Sequence, residues 1–351
     1  MDESTQQTRR TSGMRTGALV LSLLVIAGLA FWLWHAEDLR ELLRIIGAAR
    51  LDLLALIVLL PALSNTFRAL RLHVVLHHKP GALHTMHVYN IGAMVNCLLP
   101  LRSGELCMVL LLGPRLPGGK TEAFSRLFVD KFLDLLTVMA LFAATALLLD
   151  QARVQAIAPE LALGYVVLGL ALTAGTAWTL CACEPLIIQL IRAVADALRH
   201  DPEPWTRRSA AAINGMRVLF RGRILAQAMG LSLLAWICIT LNFYAGMAAL
   251  FPPPGLACSM LAVSMTVFGL MLAPMPAGIG TTHGAIVLAL GFFGIGAEQA
   301  LAFAILYHAV STVVSLLLGF IGLHALGLNL RPLLRGALST SATAPTPRDP
   351  T

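Results

Sequence analysis

Charge is scarce in this sequence. Asp, Glu, Lys and Arg together make up 12% of the 351 residues, and 58% of residues are hydrophobic. A soluble domain carries roughly 25% charged residues, so this scarcity excludes an ordinary water-soluble globule. Long strands of alternating apolar and polar residues are also missing, which excludes a transmembrane β-barrel. What remains is a set of apolar runs long enough to cross a bilayer as helices, which takes about 20 residues each. Six are read as full spans: Gly17–Trp34, Leu51–Phe67, Phe132–Leu149, Leu161–Cys181, Ile224–Leu250 and Leu301–Leu328. The expected fold is an all-α polytopic membrane protein, a helical bundle. Residues 1–15 form a cytoplasmic tail, 16–330 the transmembrane domain and 331–351 a disordered cytoplasmic tail.

Catalytic signatures are missing as well. There is no G-x-S-x-G elbow, no Walker A loop and no nucleotide-binding domain, so ATP hydrolysis by this chain is not expected. The six cysteines lie in or beside apolar runs, and Cys181–Cys183 lacks the partner pair of a zinc site. "HVVLHH" (His73–His78) and "HTMH" (His84–His87) resemble two boxes of a membrane di-iron enzyme, but the other histidines are isolated and only half the ligands are present. No metal and no cofactor are therefore expected.

The basic excess, 25 Lys+Arg against 18 Asp+Glu, does not indicate nucleic acid, because the basic residues are spread over the loops. Placing the N-terminus in the cytoplasm puts 20 of them inside, 4 outside (Arg40, Arg44, Arg50 and Arg153) and leaves Arg102 over. The positive-inside rule thus predicts cytoplasmic N- and C-termini in a multi-pass protein of the cell inner membrane. Arg9, Arg10 and Arg15 followed by an apolar run read as an uncleaved anchor, because "HAEDLR" follows without a small-residue cleavage site.

Two apolar regions, His84–Leu112 and Leu256–Ile295, are broken in their middles. By the charge count the first enters and leaves on the cytoplasmic side and the second on the outer side. Their breaks, "NCLLPLRSGE" (Asn96–Glu105) and "MLAPMPAGIGTTHG" (Met271–Gly284), share an apolar run, a proline and a following glycine. Interrupted segments at corresponding positions in opposite orientation predict an inverted repeat with two re-entrant broken helices, whose site lies near the midplane. In the first break Pro100 ends a helix, Gly104 lets the chain restart, and Arg102 and Glu105 sit at the turn. Charge at this depth costs about 2.5–3.5 kcal/mol or more, so it marks a cavity or a partner. An arginine beside a helix N-terminus suits an anion, and a phosphate is the obvious anion in a bilayer. The alternative is that Arg102 and Glu105 merely pair with each other. In the second break Pro274, Pro276, Gly278 and Gly280 free backbone groups, while Thr281, Thr282 and His283 offer polar contacts.

"SRLFVDKFLDLL" (Ser125–Leu136) places Arg126, Asp130 and Asp134 on one helix face. Arg126 is read as part of a solvated helix end. Asp130 and Asp134 lie deeper and are expected to face the interior, pairing with Arg102 or Lys131. Arg68, at the end of the second span, is read as snorkelling to headgroups. The loop Arg192–Arg223 reads as an amphipathic connection lying against anionic lipid.

Taken in order, "NCLLPLRSGE", "DKFLD" (Asp130–Asp134) and "PMPAGIG" (Pro274–Gly280) resemble the lysylphosphatidylglycerol-synthase transmembrane, or flippase-like, family over about residues 15–330. The resemblance implies a bundle with two re-entrant helices that moves a lipid between leaflets. It gives Asn96, Arg102 and Glu105 headgroup contacts, Asp130, Lys131 and Asp134 a supporting network, and Gly280, Thr281 and His283 the second turn. The sequence departs from the family where Asp130-Lys131 replaces Glu-Arg, Met108 replaces an arginine and His283 replaces an acidic residue. Fewer fixed charges leave room for a phospholipid other than an aminoacylated one, a glycolipid, a polyprenyl-phosphate lipid or a hopanoid. No synthase domain is attached, so a lipid-synthesising enzyme is an expected partner, as is a second copy in a homodimer. The expected activity is lipid translocation. The alternatives are a membrane transferase using Glu105 or Asp130 as general base, or an accessory subunit of a lipid-modifying enzyme.

Overall fold

A computed structural model describes residues 50–99, 103–148, 188–190, 203–217, 221–272 and 278–330, together with Arg44 and Gly47. The predicted spans Gly17–Trp34 and Leu161–Cys181 and both tails lie outside the described residues. Those described form helices joined by short turns, with no strand among them.

The chain runs through α1 (Leu51–Val75), α2 (Ala82–Leu98), α3 (Ser103–Leu112), a 3-10 turn at Gly113–Arg115, α4 (Gly119–Leu148), α5 (Glu203–Met216), α6 (Gly222–Leu250), α7 (Leu256–Leu272), α8 (Thr281–Gly291) and α9 (Ala297–Ala325). By length and composition, three of the described helices are long and apolar enough to cross a membrane, at Asp52–Val75, Gly222–Leu250 and Ala297–Ala325. The protein is an all-α membrane protein. The run predicted as the span Phe132–Leu149 makes up, as far as Leu148, about the second half of the 30-residue α4 and includes Asp134; before it α4 carries Lys120, Glu122, Arg126, Asp130 and Lys131. α1 extends past the predicted end at Phe67 to Val75, which carries Arg68 and Arg71 onto the helix rather than into a loop.

Both broken regions are hairpins of two short helices. In the first, Gly92 of α2 lies against Met108 of α3, and Asn96 against Gly104, so the arms run antiparallel about position 100. Gly104 is required by this approach: a Cβ there would stand 2.0 Å from the Gly92 carbonyl oxygen. Its freed N–H donates to Asn96 Oδ1 at 2.7 Å, which satisfies one of the open donors at the start of α3. In the second hairpin Gly269 faces Ala285 and Leu270 faces Gly278, whose φ of +71° suits glycine at the turn. The second arms are short. α3 has 10 residues and α8 has 11, about 15–16 Å at 1.5 Å per residue, half of a bilayer core of about 30 Å.

α1 and α6 form the most extensive helix pair, stitched by Ser64 Oγ donating to the Ala235 carbonyl at 3.1 Å and Asn242 Nδ2 donating to the Ile57 carbonyl at 2.8 Å. Around them the neighbours correspond. α4 packs on α3 of the first hairpin and α7 of the second, whereas α9 packs on α8 of the second and α2 of the first. α5 lies along α4, where Ser125 Oγ donates to the Ala212 carbonyl, and it leaves Trp205 exposed. The largest apolar cluster gathers α6, α7, α8 and α9 around Phe243, Met247, Leu261 and Phe303.

Candidate functional site

Two aspartates on α4 and two arginines on α1 meet in the interior. Asp130 and Asp134 are four residues apart on one face of α4, and Arg68 and Arg71 are three apart on one side of α1, so the two pairs can meet. Arg71 is 0% exposed. Its Nε donates to Asp130 Oδ1 and its Nη1 to Asp134 Oδ1, both at 2.7 Å, and Nη1 also donates to Ser232 Oγ on α6 at 2.9 Å. Two short charge-assisted bonds from one planar guanidinium are what offset the large desolvation cost of burying these charges. Arg68 is held more loosely. Its Nη1 donates to Asp134 Oδ2 at 3.3 Å, and the guanidinium lies 4.5 Å over the ring of Trp236. Lys131 completes the group, with Nζ 3.9 Å from each of Glu105 Oε1, Asp130 Oδ2 and Asp134 Oδ2. Through Glu105 the first hairpin is tied to α4.

These charges open onto a cavity of about 290 Å³ between the helices. Arg68 and Asn65 of α1, Lys131 and Asp134 of α4 and Trp236 of α6 give its polar side. Tyr307, Ser311 and Ser315, spaced four apart, run along one stripe of α9. Phe243, Val263, Val267 and Leu270 make the remaining wall apolar. The cavity can therefore hold a polar group at one end while apolar groups lie beside it.

The residues expected from sequence fall into three groups. Asp130, Lys131, Asp134 and Glu105 come together in this network. Asn96 and Gly104 meet in the hairpin, where they hold its two arms, and the cavity is lined by other residues. Around the second turn, Thr281 Oγ1 donates to the Gly278 carbonyl at 3.2 Å, and the Gly280 N–H donates to His283 Nδ1 at 3.4 Å. The His283 ring stacks on His308 at 5.0 Å. Pro100, Arg102, Pro274 and Pro276 lie outside the described residues.

Two readings of basic residues are corrected. Arg126 is buried rather than solvated: it is 5% exposed, and its Nη1 donates to the Val75 carbonyl at 2.9 Å with Glu122 alongside at 3.3 Å. Arg68 points into the protein rather than snorkelling, because Asp134 and the Trp236 face compete successfully with the headgroup layer. Sequence reasoning missed Arg71 altogether. The signal that would have found it is the match between Arg68/Arg71 at i, i+3 and Asp130/Asp134 at i, i+4 on two helices. Among the described residues no group of three or more His, Cys, Asp or Glu is placed to hold a metal ion.

Buried ionic network, polar cavity and apolar helices together define an integral membrane protein with a polar site inside its helical bundle. The chain belongs to the family described as lysylphosphatidylglycerol synthase TM region, which matches residues 19–319. Membership ties it to lipid handling in a membrane. No curated protein and no solved structure matches the chain.

Proposed function

We propose that this protein is a lipid translocator, which moves a polar-headgroup lipid between leaflets of the cell inner membrane. The observation that carries the reading is the cavity lined by Arg68, Lys131 and Asp134 inside an otherwise apolar bundle. Charge buried among apolar helices is costly and marks a pathway or a binding site. The energetic task of lipid movement is to keep a polar headgroup out of hydrocarbon, and this cavity offers it ion pairs and hydroxyls instead. The acyl tails stay in the bilayer. In this reading Asp130, Asp134, Lys131, Glu105 and Arg102 serve the headgroup site. Asn96, Pro100 and Gly104 shape the first hairpin, and Pro274, Pro276, Gly278, Gly280, Thr281 and His283 the second.

We read the two hairpins as an inverted repeat, which suits the same function, because two opposed hairpins would give a site that can open to either side. The exchange of neighbours favours it: α4 and α9 each pack against one arm of each hairpin. The basic loops favour cytoplasmic termini. The lipid would come from a separate synthesising enzyme.

The test is leaflet redistribution of fluorescent lipids in proteoliposomes, read by chemical quenching of the outer leaflet. The native chain should accelerate redistribution, and Lys131→Ala and Arg102→Ala should abolish the acceleration at equal protein levels. Unchanged redistribution in both variants would remove the site assignment. No redistribution, with a new mass appearing on added lipid, would turn the assignment to a transferase.

A further inference from the structure

The two hairpins restart their second helices alike but with different chemistry. At the start of α3 the Gly104 N–H donates to Asn96 Oδ1 at 2.7 Å. At the start of α8 the Gly280 N–H donates to His283 Nδ1 at 3.4 Å. His283 is the third residue of α8, the position from which a Glu or Gln side chain reaches back in a capping box. The amide of Asn96 remains an acceptor at any pH. An imidazole accepts at Nδ1 only while it is neutral and its proton sits on Nε2. His283 is 7% exposed, and its ring stacks on that of His308 at 5.0 Å with 28° between the planes. Tyr307, the neighbour of His308, lines the cavity, so the pair joins the second hairpin to a helix of the cavity wall.

Few titratable groups surround the pair. α8 packs on α7, which carries Cys258 and no charged residue, and on α9, where Glu298 and His324 lie in the first and last turns and His308 faces His283. Residues 273–277, between α7 and α8, include no titratable side chain. α9 packs also on α1, α2 and α6. On α1, Arg68 lines the cavity with Tyr307, Arg71 is held by Asp130 and Asp134, and Asp52 is held by Arg50. On α2, His87 lies against Gly322, well down α9 from His308, and α6 has Arg223 in its first turn. Among the described residues the polar contacts of the two imidazoles are the Gly280 N–H and each other.

A proton taken by His283 goes onto Nδ1. The acceptor of the Gly280 N–H becomes a donor, so two N–H groups oppose each other and the bond is lost. The new positive charge also stands at the N-terminus of α8, where the helix dipole disfavours it. Protonation and the closed turn therefore oppose each other, whatever the total charge around the cavity. By reciprocity of linkage, a proton favours an opened turn and an opened turn favours a proton. We infer that His283, stacked on His308, is a proton-binding site that couples the second hairpin to proton movement, so that lipid translocation is driven by a proton gradient; the coupling rests on the translocation reading. The proton comes from water on one side of the membrane and returns to water on the other, with no other bond made or broken.

Two measurements on the full chain test this. The first is nitrogen-15 histidine NMR of the protein in micelles at about pH 7.5, with the His283 signal identified by its loss in His283→Gln. It should show the neutral ring with its proton on Nε2; an Nδ1–H tautomer or an imidazolium at that pH overturns the proton site. The second uses proteoliposomes holding tail-labelled phosphatidylethanolamine, phosphatidylglycerol or monoglucosyl diacylglycerol, with valinomycin and potassium clamping the membrane potential. A gradient of about one pH unit should drive the steady-state leaflet ratio of the moved lipid toward about ten-fold for one proton per lipid, beyond that of protein-free liposomes. A protonophore should abolish this imbalance. His283→Gln keeps an acceptor at the same helix position and cannot take the proton, so its imbalance should fall to the protein-free level. Movement of lipid with no response to the gradient overturns the coupling and leaves translocation standing, as does a folded His283→Gln protein that keeps the imbalance. No movement of any lipid overturns translocation and the coupling with it, while the NMR result decides the proton site by itself.

Discussion

Replacing Arg71 by methionine keeps the volume of the side chain and removes its charge from the most buried point of the network. Three hydrogen bonds disappear, at 2.7, 2.7 and 2.9 Å. Asp134 retains Arg68 at 3.3 Å, but Asp130 is left, among the described residues, with Lys131 at 3.9 Å. Removing one partner of a buried ion pair costs about 3–5 kcal/mol, mostly because the other charge stays buried without compensation. If that is the origin of the cost, then taking Asp130 away as well should restore part of the loss. Arg71→Met/Asp130→Leu should be more stable than Arg71→Met by about 1–3 kcal/mol, a coupling typical of residues in direct contact. The assay is unfolding of the purified protein in mixed micelles, followed by helical circular dichroism. A single variant within about 1 kcal/mol of the native protein, or a double variant no better than the single, would refute the reasoning.

Further outcomes follow from other residues. Gly104→Ala forces a Cβ against the Gly92 carbonyl oxygen and should cost at least about 2 kcal/mol, whereas Gly284→Ala on α8 meets open space and should be neutral or stabilising by up to about 1 kcal/mol; the same unfolding assay decides. Arg68→Ala should slow lipid redistribution in proteoliposomes by about ten-fold or more, and an unchanged rate would return Arg68 to a headgroup-layer role. His77, in the turn after α1, has its pKa lowered from 6.5 by burial and then by Arg126 and Arg221. The folded chain resists its protonation, so its contribution is present above the unfolded pKa and is lost as pH falls below it. Lowering the pH from about 7.5 to about 5.5 should therefore reduce the melting temperature of the native chain more than that of His77→Asn. Asparagine tolerates the φ of +54° at this position, and equal reductions would rule the effect out.

The membrane class, the two broken regions and the inward face of Asp130 and Asp134 were legible in the sequence for a common reason. Each is set by local composition against a uniform apolar background, where a proline, a glycine or a carboxylate stands out. Arg68, Arg71 and Arg126 were misread or missed because a basic residue near the end of an apolar run has two low-energy positions, headgroup layer or interior partner. Which one wins depends on a helix far away in the chain: Asp134 is 63 residues from Arg71, and Ser232 is 161 residues from it. The cavity was hidden for the same reason, since α1, α4, α6, α7 and α9 each contribute to its wall. Asn96 was legible as a polar residue at a break, but its partner, the N–H of Gly104, belongs to the backbone and leaves no trace in side-chain type.

The exchange of neighbours between the halves has a mechanical consequence. α4 touches one arm of each hairpin, and so does α9, while the α1–α6 pair runs between them. Each hairpin is thus packed by both α4 and α9, helices that lie far apart in the chain. A tilt of α4 that loosened α3 would at the same moment press on or release α7, so under the proposed translocation the two hairpins would move as ends of a single lever. The ionic network sits on α4, joined to α3 by Glu105 and to α1 by Arg71, where the proposed headgroup site would feel such a tilt.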